Sequence, residues 1–289
     1  MRSLTSDLAF VVRSLRNATH LPVLAMTVEA ATTWGVGEYA LIAERLEPAA
    51  RAVVDLAGVT DSDRVLDVAT GTGNAALLAA RRGATAVGLD FEPRLLDIAR
   101  ARARDAGVEV DWVEADIQSA PLDPATFSVV VSAFGVMYAP DHDAAAGALA
   151  RCCAPGARLA LAAWTPGSFM PAMGAALAPY LPPPPPGGAP PSRWGDEAAV
   201  AELLERHGIS TSATNTESIS LAVRDRAEAV DLLIRTAGHV LSEQPRLQRE
   251  GRWDQLRCDL AQLVASRDQG ADDGVELRCE YLVVVGERT

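Results

Sequence analysis

Two closely spaced glycines and three acids carry the chemistry that this chain is equipped to do. Arg64 to Gly73 reads R-V-L-D-V-A-T-G-T-G, an apolar run interrupted by Asp67 and ending in Gly71 and Gly73, with a helix-compatible run over 74–82 directly behind. A tight turn between a buried strand and a helix needs glycine for its backbone angles, and glycine also lets a ligand approach the peptide closely. With Asn74, Ala75 and Ala76 the glycines satisfy G-x-G-x-x-A, and Asp90 follows near the distance of a ribose-binding acid, so a nicotinamide dinucleotide is one candidate ligand. Asp67 points elsewhere, because a carboxylate inside a buried strand is costly unless it meets a donor or a cation. Asp116, in E-A-D-I, adds an acid just beyond the third strand.

The elements that must position these residues alternate regularly. Strands are expected at 64–69, 85–90, 108–114, 127–133 and 158–164, with helices at 74–82, 93–105 and 141–153. Pro93 and Asp141 serve as helix starts, and Gly83 and Gly107 as stops. Strand, helix and strand at this cadence predict a parallel sheet covered on both faces, with ligands outside the carboxyl ends of its strands.

Upstream, residues 1–37 lack a clean period, and two helices follow at 38–46 and from Pro48 to Gly58. Downstream come a short helix over 166–180, a proline-rich stretch over 181–191 and a helix from Asp196 to His207 closed by Gly208. The proline stretch suits a stiff surface crossover or, alternatively, recognition by a proline-binding module. A polar strand at 215–223 precedes two amphipathic helices, one carrying Val230, Leu233, Ile234, Ala237 and Leu241, the other Trp253, Leu256, Leu260, Leu263 and Val264. The expected organisation is one domain: an N-terminal helical lid over 1–58, a cofactor-binding core over 64–165, a stretch over 166–275 that includes a helical cap, and a final strand over 276–289.

Composition narrows the partners. A net charge of -12 and a pI near 4.8 argue against nucleic acid, which needs a basic face, and the chain has no lysine at all. Cys152, Cys153, Cys258 and Cys279 show neither C-x-x-C spacing nor a neighbouring histidine, so no metal site is expected and the thiols read as reduced. The apolar run from Leu8 to Val12 is too brief for a signal core or a membrane span, which points to a cytoplasmic protein. The oligomeric state is left open, a homodimer included.

Taken jointly, these motifs resemble the class I S-adenosylmethionine-dependent methyltransferases. V-L-D-V-A-T-G-T-G is similar to the family's glycine-rich motif, with Ala69 in place of its first glycine. G-L-D-F resembles its acidic loop, E-A-D-I-Q-S-A-P-L its adenine-contacting segment, and F-S-V-V-V-S-A-F-G-V-M-Y-A-P-D-H its fourth strand and following loop. The Pro155-Gly156-Ala157-Arg158 turn is similar to its proline-glycine turn, and the likeness spans residues 36–165 together with the last strand. The resemblance implies an α/β, Rossmann-like, mostly parallel seven-stranded sheet with helices on both faces and an antiparallel last strand. It implies S-adenosylmethionine as cofactor, with Asp90 and the adjacent Phe91 at the ribose, Asp116 and Ile117 at the adenine, and the loop of Ala69, Gly71, Thr72 and Gly73 facing the methionine part. Asp67 would orient that loop, and Phe134 would lie near the methionyl group.

Methyl transfer from a sulfonium is an in-line displacement, in which positioning and water exclusion supply much of the rate. Some relatives place a histidine pair after the fourth strand, where this chain has Met137 and Tyr138. Tyr138 and His142 are therefore the catalytic candidates, with His239 a further histidine on the cap. Trp34, Tyr39, Met137, Tyr138, Trp164 and His239 are expected to line an enclosed pocket for a small, fairly apolar acceptor, a natural-product intermediate or a quinone-like ring. The alternatives are a non-methylating protein that binds the same cofactor, such as a cyclase, and, more remotely, a nicotinamide oxidoreductase.

Overall fold

The computed structural model describes residues 31–183, 188–270 and 274–289. The apolar run at 8–12, most of the N-terminal lid segment before Ala31, and the middle of the proline run lie outside the described residues. After a 3-10 turn at Ala31–Val36 come α1 (Tyr39–Arg45) and α2 (Glu47–Leu56). The alternating core holds β1 (Arg64–Val68), α3 (Asn74–Arg81), β2 (Thr85–Asp90), α4 (Pro93–Ala106), β3 (Asp111–Glu114), β4 (Phe127–Ala133), α5 (His142–Cys152) and β5 (Cys153–Trp164). Next are α6 (Phe169–Leu177), α7 (Glu197–Glu205), β6 (Ile209–Val223), α8 (Arg226–Thr236), α9 (Gly238–Arg249), α10 (Trp253–Arg267) and β7 (Val275–Arg288).

The strands form one seven-stranded sheet in the order β3-β2-β1-β4-β5-β7-β6. The first five are parallel, and β7 runs antiparallel to both β5 and β6. Chain order reverses between β1 and β4, and that switch point opens a crevice beyond the strands' carboxyl ends. Residues on β1, β2, β4 and β5 are buried almost continuously, as a sheet covered on both faces requires. Small residues allow close packing over it: Ala49, Ala50, Val53 and Val54 on α2, and Ala145, Ala146, Ala148 and Leu149 on α5, are fully buried.

Several boundaries differ from the sequence expectation, each for a physical reason. β3 starts at Asp111 and not at 108, because pairing with its one neighbour begins only where Val87 meets Asp111. β5 starts earlier than expected because Cys153 pairs with Phe127 of β4, and β6 is longer because its antiparallel partner β7 pairs along the whole of it. The apolar face of residues 230–241 belongs to two helices, α8 and α9, which part at Ala237; the cap segment between β6 and β7 thus has three helices in place of two. The proline stretch closes in a 3-10 turn at Pro191–Gly195 that buries Trp194.

A half-buried ion pair ties the amino ends of this sheet to α2. Arg158 on β5 donates to the carbonyls of Ala57 and Gly58 and to the Asp63 carboxylate at 2.5 Å. Burial works against the Asp63 anion, but Arg158, the Thr60 amide and the Ser128 and Thr60 hydroxyls outweigh it and hold the carboxyl at about 2. Stability from this group is present above the unfolded carboxyl's range near 4 and is lost as pH falls through about 2. Replacing it, Asp63→Asn, is expected to cost about 1–3 kcal/mol at pH 7. Urea denaturation should show that loss shrinking as the pH is lowered from 4 towards 2.

Candidate active site

The glycine turn is braced by two buried carboxylates. Asp67, 2% exposed at the centre of the sheet, accepts from the Thr70 hydroxyl at 2.6 Å and from the Ala76 amide at 2.9 Å. One acid thus joins the end of β1, the turn and the first turn of α3, where amide groups have no partner within the helix. Asp90, at the end of β2, accepts from the Gly71 amide at 2.8 Å and the Glu92 amide at 2.9 Å. Burial raises both acids, Asp67 to about 7 and Asp90 to about 6, although the hydrogen bonds they accept act in the opposite direction. From behind, Arg102 donates to the Thr72 carbonyl, the Thr72 hydroxyl and the Asn74 side chain at 2.7 to 3.0 Å.

The turn's backbone is unusual. Ala69 has φ 52° and, facing it from the end of β4, Phe134 has φ 61°, both in a region that costs residues with a side chain of order 1–3 kcal/mol. A Cβ on Gly135 would lie 2.4 Å from that of Ala69, so glycine is what lets the ends of β1 and β4 meet here. Buried Ser132 completes the join, donating to the Val68 carbonyl at 2.6 Å and accepting from the Val136 amide at 3.1 Å.

Two cavities open over these strand ends. The smaller, about 100 Å³, is walled by Ala69, Gly71, Asp90, Phe91, Asp116 and Ile117. The larger, about 550 Å³, is lined in part by α8 and α9 and, among the described residues, has no Asp, Glu or Arg side chain in its lining. Trp34, Tyr39, Phe134 and Tyr138 line both and form a shared aromatic wall. Within that wall the Trp34 and Tyr138 rings lie 4.9 Å apart, and Phe134 stacks on Trp164 at 3.7 Å. Burial raises the Tyr138 hydroxyl to about 12 and the Tyr39 hydroxyl further.

A methyltransferase-domain family model matches residues 65–156, the stretch that supplies the glycine turn and the acids. An uncharacterized protein of Mycobacterium tuberculosis is 37% identical over 258 residues, covering 88% of this chain and 92% of the relative. The chain belongs to the class I S-adenosylmethionine-dependent methyltransferases. A demethylmenaquinone methyltransferase of Thermus thermophilus is 43% identical over 118 residues, 40% of this chain and 54% of that protein. The crystal structure of a putative methyltransferase from Bacillus halodurans shares the fold at TM-score 0.61 and 16% identity, covering 83% of this chain and 99% of that one.

This methyltransferase does not gather all the residues singled out from its sequence. Ala69, Gly71, Asp90, Phe91, Asp116, Ile117 and Phe134 face the smaller cavity, while Trp34, Tyr39, Met137, Tyr138, Trp164 and His239 line the larger. Asp67 and Thr72 line neither of these but a third, much smaller cavity together with Tyr39, Ala69 and Thr70, and Gly73 lines none of the three. His142 is misplaced for catalysis: it is buried, lines neither cavity, and packs edge-on against Trp194 at 5.7 Å on the inner face of α5. Asp141 as a helix start places His142 in a first turn, but nothing nearby in the sequence announces Trp194 as its neighbour. Met170, Met173, Ile219, Leu233 and Cys279 line the larger cavity and were missed; only their apolar character marked them. Among the described residues no cluster suits a metal ion and no helix is long and apolar enough to cross a membrane.

In the native methyltransferase Asp67 and Asp90 hold their protons to higher pH than the unfolded value near 4, so together they remove stability as pH rises from 4 to 7. Asn at position 67 keeps a carbonyl oxygen for both of its bonds and cannot ionise. Asp67→Asn is therefore expected to flatten the fall in stability between pH 5 and 8, by a few kcal/mol at the upper end. Urea midpoints across that range check it, with unchanged slopes in both proteins counting against the assignment.

Proposed function

We propose that this methyltransferase moves a methyl group from S-adenosylmethionine to a small, fairly apolar acceptor, a natural-product intermediate or a quinone-like ring, by in-line displacement. The observation that carries the reading is the pair of cavities: an acid-bearing one beside the glycine turn, and a larger one with no acid or guanidinium among the described residues of its lining, meeting at a wall of aromatic rings. The polar set suits the cofactor. Asp90 has further lone pairs for the ribose hydroxyls, Asp116 offers an acceptor at the adenine edge, and Phe91 and Ile117 supply flat and apolar surface beside it. Ala69 and Gly71 present backbone to the methionine part.

When bound, S-adenosylmethionine supplies an electrophilic methyl on a positively charged sulfur. The aromatic rings of Trp34, Tyr39, Phe134 and Tyr138 favour a cation beside their faces and exclude water from the line of transfer. An enclosed apolar chamber holds the acceptor on that line, and orientation of this kind supplies a large part of such a rate enhancement. The Thermus quinone methyltransferase likeness supports a ring-bearing acceptor, and the free cysteines fit a reducing cytoplasm.

Purified protein incubated with methyl-labelled S-adenosylmethionine and a panel of reduced quinones and phenols should release S-adenosylhomocysteine and label the acceptor. Cofactor binding without turnover on any acceptor would favour the non-methylating reading. For the site itself, Asp90→Ala is expected to weaken S-adenosylhomocysteine binding by about 1.5–3 kcal/mol, roughly 10- to 150-fold. Titration calorimetry measures it, and an unchanged Kd would remove Asp90 from the cofactor site.

A further inference from the structure

We propose that His239 is the base of this site, taking the proton of a neutral acceptor that carries an enol or phenol hydroxyl; the inference rests on the methyltransferase reading above. His239 lines the larger cavity, and its ring lies 6.0 Å from that of Trp34 on the shared wall. Among the described residues no hydrogen bond occupies either of its ring nitrogens.

Its place is set by close backbone contact. The preceding residue, Gly238, opens α9 against the segment that carries Trp34: a Cβ there would fall 1.7 Å from the Thr33 carbonyl oxygen. The Glu38 amide donates to the Arg235 carbonyl at 2.8 Å, and the Arg235 guanidinium pairs with the Glu38 carboxylate through two bonds of 2.6 and 2.9 Å. Trp34, Tyr39 and His239 are thereby held together although they are some two hundred residues apart in the chain.

The other polar groups of the cavity cannot take a proton from the acceptor. Burial raises the Tyr39 hydroxyl and the Cys279 thiol, and the hydroxyl of partly exposed Tyr138 is raised as well, so all three stay protonated near pH 7; the Thr236 hydroxyl donates to the Leu232 carbonyl at 2.8 Å, and the Ser192 hydroxyl is not a base at that pH. Burial lowers the imidazole of His239, and the amino end of α9 acts in the same direction, so the ring is neutral near pH 7. The charges at the same junction, Glu38 and Arg235, are paired with one another.

The same lining defines the acceptor. Beside the uncharged S-adenosylhomocysteine, a carboxylate or phosphate would lose its water and meet no countercharge among the described side chains of the lining, which is strongly unfavourable. A neutral hydroxyl satisfies the cavity and the base at once. Its proton passes to a ring nitrogen of His239, and the electron pair left on oxygen forms the new bond to the methyl carbon as the sulfur–methyl pair returns to sulfur. Where the conjugated ring carbon is the nucleophile, tautomerisation then restores the ring. In either case one proton is released, from His239 to water once the product leaves.

The test uses 1-naphthol, naphthalene and 1-naphthoate as probes of the full-length protein saturated with S-adenosylhomocysteine. By calorimetry the wild type should bind 1-naphthol about tenfold more tightly than naphthalene, with 1-naphthoate weaker than both. His239→Ala should erase the naphthol preference, and His239→Gln, whose amide oxygen accepts but is not a base, should keep part of it. Nitrogen-15 spectra should show the His239 imidazole shifting with naphthol and not with naphthalene. The proposal is overturned if 1-naphthol does not bind the wild type, if the preference survives in His239→Ala, or if 1-naphthoate binds as well as 1-naphthol. Failure of the wild type to bind S-adenosylhomocysteine would sink the underlying site reading instead, and that affinity should be the same in all three proteins.

Discussion

The site depends on one carboxylate that has no water to solvate it. Asp67 sits in an interior strand, and a charge or even a neutral acid there is tolerable only because a hydroxyl and a helix amide converge on one of its oxygens. That convergence fixes where the chain turns. With the turn fixed, the Gly71 amide reaches Asp90, Ala69 is held at a backbone angle it would otherwise avoid, and Gly135 can press the end of β4 against it. Each of these contacts is local. Their common anchor lies inside the sheet, outside both cavities.

The sheet then divides polar from apolar work. Parallel strands bring the ends of β1, β2 and β4 to one edge, so acids on successive strands become neighbours without being close in sequence. The segment between β6 and the antiparallel β7 holds α8, α9 and α10, of which α8 supplies Leu233 and Thr236 and α9 supplies His239 to the apolar chamber. The acids beside the glycine turn therefore all come from the first half of the chain, while the second half adds apolar residues to an aromatic wall that the first half supplies.

The core was legible because its signals are local: Gly71 and Gly73 after an apolar strand, Pro93 and Asp141 at helix starts, and acids at strand ends all carry their reason within a few residues. What sequence could not show depends on partners far along the chain. The start of β3 is set by where β2 offers pairing, and the break between α8 and α9 by the Thr33 carbonyl lying against Gly238. His142 illustrates the limit. Position in a first helical turn is readable, but which way the ring faces was decided by Trp194, fifty residues on.

The four rings shared by the two cavities imply a bookkeeping of affinities. Trp34, Tyr39, Phe134 and Tyr138 cannot be displaced by an occupant of one chamber without reshaping the other. Whatever free energy one ligand gains or loses by moving that partition is imposed in equal measure on its companion, since coupling between two binding equilibria is reciprocal. On the proposed placement of the cofactor, such a wall would discriminate a loaded cofactor from a spent one, because a single methyl against the partition would alter how firmly the neighbouring chamber holds its guest.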